Sequence, residues 1–262
     1  MSRTEVVVYA NADLLAAAAA ARLVTRIVDI QAAKGSASVG LTGGGTGIAV
    51  LRELRESSAR DAIDWSRLDL YWGDERFVPA DSDERNEKQA REALLDHVPL
   101  DPKRVYAMAP SDGEFGDDVD AAAAAYAEVL AANASADGTD DGSGVPAFDI
   151  MMLGLGGEGH TASVFPDSPA VHDRGHSVVA VRDCPKPPPT RVSLTLPAIR
   201  RAREVWLMTA GEAKAEAVSL ALSGADETQV PVSGARGYRR TLWLLDRTAA
   251  GKLTKVYQTP TA

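Results

Sequence analysis

What the 262-residue chain lacks narrows the field first. It has a single cysteine, Cys184, so no internal disulfide can form, which fits a reducing compartment. It has no apolar run of the ~20 residues that a bilayer span takes. The nearest approach, LLAAAAAARLV at 14–24, is short and interrupted by Arg22, and reads as a helix against a core. The N-terminal stretch MSRTEVVVYANADLL is too briefly apolar for a secretory signal, so a cytoplasmic location is expected. Positive charge is also scarce, with 28 Lys and Arg against 37 Asp and Glu and a net charge of −9. With no basic stripe to offset it, such a chain repels nucleic acid and anionic lipid, and neither is expected as a partner. An anionic small molecule must then be met by local cations or by aligned backbone N–H groups. Histidine is rare as well, at four residues. His172 and His176 are four apart, but HDRGH contains a glycine and lacks the glutamate of a zinc-protease helix; His97 stands at a helix end. No metal site is expected.

What is present is a regular alternation of strand and helix. EVVVYA (5–10) is a short β-branched strand, followed by a long Ala/Leu helix from Asp13 to Ala33. SVGL (38–41), LDLYW (68–72), VYAM (105–108) and FDIMML (148–153) read as further strands. So do SVVAVR (177–182), RVSLTL (191–196), EVWLMT (204–209) and TLWLLD (241–246). Helices are expected over 48–57, 118–132 and 212–222, and over 86–98, where Ala90, Leu94 and Val98 share one face. Residues 133–146, NASADGTDDGSGVP, form one low-complexity segment, read as a surface loop because the alternation continues unchanged beyond it. Several strands are apolar throughout. The fold class expected is therefore α/β, with a mostly parallel sheet and helices on both faces. Ligands of such sheets bind beyond the carboxyl ends of the strands, so the loops there are where to look.

Four such places carry chemistry. LTGGGTG (41–47) joins a strand to a helix, and Gly43, Gly44 and Gly45 let backbone N–H groups approach an anion at a helix start. No lysine follows as in a Walker loop, and Ile48 stands where a dinucleotide fingerprint has its third glycine. A tight turn would explain one glycine but not three in a row. In YWGDERFVP (71–79), Asp74, Glu75 and Arg76 follow a buried strand; a carboxylate there can act as acid, base or orienter, and an arginine can fork onto phosphate, while a solvated ion pair is the plainer reading. In GLGGEGHTASVFP (154–166), His160 has the one side chain that exchanges a proton near neutrality, and Glu158 can orient it or steer its basicity. Ser163 lies outside any G-x-S-x-G and is not read as a nucleophile. Arg191 and Lys214 adjoin strand ends, where solvated cations are common.

Taken together, LTGGGTG, LDLYWGDERFVPADSDERN, FDIMMLGLGGEGHTASVFPDSP and RVSLTLPAIRRAREVWLMTAGEAKAEAV resemble the glucosamine-6-phosphate isomerase/6-phosphogluconolactonase family, in order and over residues 38–218. The resemblance implies a single Rossmann-like α/β domain over residues 1–262, hydrolysis of a sugar-phosphate lactone in the oxidative pentose phosphate pathway, and no cofactor. Its catalytic residues fall on His160, Asp74 and Glu158, and its phosphate or substrate contacts on Gly43, Gly44, Gly45, Arg76, Arg191 and Lys214. The chain departs from the family pattern in having glycine where serine (Gly45) and proline (Gly47) are more usual, and Glu158 where Asp is usual. The deaminase branch carries a functional glutamate five residues beyond the histidine, where this chain has Phe165; that favours the lactonase branch. A non-catalytic sugar-phosphate sensor is the alternative of another class, but it needs a DNA-binding segment ahead of a sheet that here starts at residue 5. A monomer or weak homodimer is expected.

Overall fold

In the computed structural model the described residues are 3–134 and 142–253. Half of the low-complexity segment expected as a surface loop, residues 135–141, therefore lies outside them. Six strands build the main sheet: β1 (Arg3–Tyr9), β2 (Ala37–Leu41), β3 (Leu68–Trp72), β5 (Ile150–Leu153), β8 (Glu204–Thr209) and β9 (Arg240–Asp246). Their order is β1-β9-β8-β5-β2-β3, and every pairing is parallel. Strands buried on both faces need continuous apolar sequence, and β5 and β8 are buried at every position.

The helix α1 (Ala12–Lys34) follows β1. The Asn11 side chain accepts the Leu14 N–H at 2.9 Å to start it, and Gly35 in the left-handed region ends it. Its alanines give high helix propensity, and Leu15, Ala19, Leu23 and Ile27 form the buried stripe at i, i+4 spacing. It packs against α2 (Gly44–Glu56) and against β1, β2 and β9.

A second sheet, antiparallel and three-stranded, has the order β4-β7-β6, from β4 (Asp74–Arg76), β7 (Arg191–Leu194) and β6 (Val178–Val181). The segments expected as strands at 177–182 and 191–196 are thus strands, but of this small sheet. The proline-rich stretch between them is too short to hold the crossover helix that parallel pairing needs. The helix α4 (Val119–Asn133) packs on β6 and β7; its Tyr126 hydroxyl donates to the Tyr106 carbonyl and accepts the Trp72 N–H.

Two expectations are corrected. VYAM makes only a single bridge, Val105 to Leu70, rather than a strand. The helix expected over 86–98 is α3 (Asn86–Ala93), then a 3-10 turn at Leu95–His97, because Leu94 leaves helical geometry and Val98, before Pro99, is extended. Leu94 is buried in the core all the same.

Chain direction sets the location of the site. After β2 the chain moves to β3 on one side; β5, β8 and β9 then build outward on the other. The sheet therefore reverses between β2 and β5, and the loops after these two strands diverge to leave a crevice. They are LTGGGTG and GLGGEGH.

Candidate active site

A cavity of about 130 Å³ occupies this crevice. Its walls include Gly43 and Gly44 from the loop after β2, Asp74 and Arg76 from β4, His160 from the loop after β5, and Arg191 from β7. Six of the nine residues expected from sequence thus converge from four places in the chain. A larger cavity of about 620 Å³, beside residues 221–236, contains none of them.

Gly44 adopts φ +78, which an L side chain rarely tolerates, and it opens α2. The helix therefore begins inside the glycine run rather than at Ile48. No side chain caps it, so its first N–H groups have no helical partner. Gly45 sits in this first turn, outside the cavity wall.

Asp74, Arg76 and Arg191 are placed by the small sheet. Arg76 and Arg191 are cross-strand partners in its register, two like charges side by side, an arrangement that favours an anion between them. Each is held by carbonyls: Arg76 Nη1 donates to Glu84 O at 2.9 Å, and it also donates to the Asn86 side chain. Arg191 Nε donates to Pro188 O at 3.1 Å and Nη2 to Lys186 O at 3.1 Å. Arg76 Nε is buried and has no hydrogen-bond partner among the described residues. Asp74 Oδ2 accepts the Ser163 hydroxyl at 2.6 Å and lies 3.9 Å from Arg191. Ser163 is fully buried with its hydroxyl committed, which accounts for it as structure.

His160 Nδ1 lies 3.0 Å from Glu158 Oε1, and its ring stacks on Phe165 with centroids 4.4 Å apart. Between the two carboxylates named from sequence, it is Glu158 that touches the imidazole. Burial raises Glu158, but the Lys186 ammonium at 2.8 Å, its own backbone N–H and His160 outweigh that and hold it at about 2. A carboxylate so ionised only accepts, so Nδ1 carries the proton and Nε2 keeps the lone pair. Burial pushes His160 below the usual imidazole value; Glu158 and Asp74 pull it up and Lys186 pulls it down. It is therefore neutral at pH 7. Lys214 is not in the cavity wall; it ends a 3-10 turn at Glu212–Lys214, within electrostatic reach of Lys186 and Glu158. Burial lowers its ammonium, Lys186 lowers it further, and Glu158 opposes both.

Two contributors were not singled out from sequence. Asn86 receives Arg76 and donates to the Asp74 carbonyl at 2.8 Å; its signal was the RN that ends DERFVPADSDERN. Lys186 grips Glu158 from the CPKPPPT loop, and a lone lysine in a proline run gives no local hint of where it folds.

With this geometry in hand, comparison with known proteins is specific. Residues 10–243 match the family model for glucosamine-6-phosphate isomerases/6-phosphogluconolactonase. A 6-phosphogluconolactonase of Streptomyces coelicolor is 59% identical over 98% of this chain and 97% of its own. One of Mycobacterium tuberculosis is 55% identical over 94% and 97%. Among solved structures, 6-phosphogluconolactonase of Trypanosoma brucei superposes with a TM-score of 0.82 at 29% identity, covering 97% of this chain and all of that one. A monomeric glucosamine-6-phosphate deaminase shares the fold at a TM-score of 0.75 and 21% identity, over 94% of this chain and 99% of that one.

Proposed function

The chain belongs to the glucosamine-6-phosphate isomerase/6-phosphogluconolactonase family and is a lactone hydrolase, and we propose that it converts 6-phospho-D-glucono-1,5-lactone to 6-phospho-D-gluconate with His160 as general base. The observation that carries this reading is the His160–Glu158 pair: a neutral imidazole, its proton held on Nδ1, opening onto a cavity that also holds Arg76 and Arg191.

Water attacks C1 while His160 Nε2 takes its proton, and the carbonyl electrons move to oxygen as a tetrahedral oxyanion forms. Glu158 steadies the imidazolium, with the charge of Asp74 nearby. The same proton then goes to the ring oxygen as the C1–O bond breaks, which leaves the open-chain acid and restores neutral His160. Arg76, Arg191, Lys214 and the N–H groups of Gly43, Gly44 and Gly45 hold the phosphate and so set C1 beside Nε2. No cofactor enters these steps. The reading includes a one-domain protein over residues 1–262, a monomer or weak homodimer, in the cytoplasm. No described helix is long and apolar enough to cross a membrane.

Fresh glucono-lactones with and without the 6-phosphate, corrected for spontaneous hydrolysis, test reaction and phosphate site together. His160→Ala is expected to lower kcat by at least ~10²-fold, the usual worth of general acid–base help. Near-normal turnover in that variant removes the base assignment, and ammonia release from glucosamine 6-phosphate places the chain with the deaminases instead.

A further inference from the structure

We propose that Lys186 is a substrate-operated positioning residue: the phosphate of a bound sugar-phosphate lactone draws its ammonium away from Glu158, and His160 becomes the stronger base only then. This rests on the reading of His160 as general base.

The site's cations differ in how firmly they are held. Arg191 is 6% exposed, with Nε and Nη2 donating to the carbonyls of Lys186, Pro187 and Pro188. Lys186 is 43% exposed, and among the described residues its ammonium makes one polar contact, the 2.8 Å pair with Glu158. Ion pairs this exposed are weak, so moving the ammonium costs little. The Lys214 ammonium makes no hydrogen bond or ion pair among the described residues, and the two ammonium groups repel each other across one carboxylate. This corner is one negative charge short. A phosphate monoester carries about −1.5 to −2 at neutral pH and supplies it. Because Arg191 also grips the Lys186 backbone, an anion on Arg191 adjoins the segment that carries Lys186.

The coupling to His160 follows from sign. The charged groups acting on the imidazole are Glu158 and Asp74, which raise it, and Lys186, which lowers it; Arg191 acts at one remove, 3.9 Å from Asp74, and Lys214 through Lys186 and Glu158. Glu158 divides its two oxygens between Nδ1 and the Lys186 ammonium. Transfer of that ammonium to a phosphate removes an opposing charge and leaves Glu158 wholly to the imidazole. Both effects favour the protonated ring, as the step that takes a proton from water requires. Without phosphate, Lys186 holds Glu158 and the base stays weak.

The test titrates the His160 ring by NMR in the full chain, wild type and Lys186→Met, alone and with 6-phosphogluconate or gluconate. Both ligands carry the product carboxylate, so their difference reads the phosphate. In the wild type, 6-phosphogluconate should raise the midpoint more than gluconate does. In Lys186→Met the midpoint should already be raised in the free protein and the extra effect of the phosphate reduced. KM for the phosphorylated lactone should rise roughly tenfold, the worth of one charged hydrogen bond. Lys186→Arg should restore the low midpoint. An unchanged free midpoint in Lys186→Met, or an undiminished phosphate effect, overturns the proposal, even if KM rises. The base assignment fails separately, if the acid limb of kcat/KM does not follow the His160 midpoint.

Discussion

His160 depends on a neighbour with no side chain. A Cβ at Gly156 would overlap Nδ1 and Cε1 of the imidazole and lie 2.7 Å from Glu158 Oε2. The Gly156 N–H donates to the His160 carbonyl at 2.9 Å, closing the turn that brings ring and carboxylate together. In Gly156→Ala the ring must move while the turn has no other reason to fail. We expect kcat to fall roughly 10²-fold, the usual cost of misplacing a reacting group by about an ångström. Thermal unfolding should shift by only a degree or two; a large drop in Tm with normal kcat in the folded fraction would show that Gly156 serves the fold instead. The sequence displayed the glycines around His160 but could not say which of them the ring leans over.

At the scale of elements, β4 decides the site, and it was the element least visible beforehand. DER has three charged residues and no apolar alternation, so nothing local marks it as a strand. It exists because β7 pairs with it and because Glu75 ties it to the start of α3. Glu75 is buried and accepts the N–H groups of Arg76 (2.7 Å), Asn86 (2.7 Å) and Glu87 (2.8 Å), with Arg85 at 3.8 Å. Burial pushes its carboxyl up to about 7 against the pull of Arg85 and those N–H groups. Sequence placed Glu75 among the site's charged residues; the fold turns it inward as a brace for Asp74, Arg76 and Asn86. Glu75→Gln presents an NH₂ group to donors and leaves Arg85, among the described residues, with Glu87 alone as its carboxylate partner. A loss of about 2–3 kcal/mol in denaturant unfolding is expected. A weaker grip on phosphorylated substrate should accompany it, because Arg76 and Asn86 lose their support. Unchanged stability would show that the three N–H groups tolerate the amide.

For the whole molecule, the parallel sheet separates chemistry from support. Every strand of the main sheet points the same way, so the carboxyl ends carry the candidate site and the amino ends carry ion pairs in which the carboxylate is buried and the cation partly exposed. Asp149, just before β5 and 2% exposed, holds Lys34 at the end of α1 (2.9 Å), the Ser38 N–H (2.8 Å) and Arg203 (3.6 Å). Asp149→Asn is expected to cost about 2–3 kcal/mol, since it leaves partly buried cations without their partner. The kcat/KM of the folded enzyme should stay unchanged, as the substitution lies at the far end of the strand from His160. A matching fall in kcat/KM would mean that the two ends are coupled through β5.

The alternation of apolar runs with amphipathic or alanine-rich stretches determined the main sheet and its principal helices, because burial on both faces leaves a mark at every position of a strand. Position just after a strand likewise determined that Gly43, Asp74, His160 and Lys214 were the residues to consider. Only the tertiary structure decided that Glu158 touches the imidazole and Asp74 does not, that Arg76 and Arg191 stand in register, and that Lys186 reaches Glu158. Each of these is a contact between segments 28 or more residues apart, or a choice between two carboxylates of like chemistry. Residue type sets what a side chain can do, whereas the distance between two side chains depends on how the whole sheet is paired.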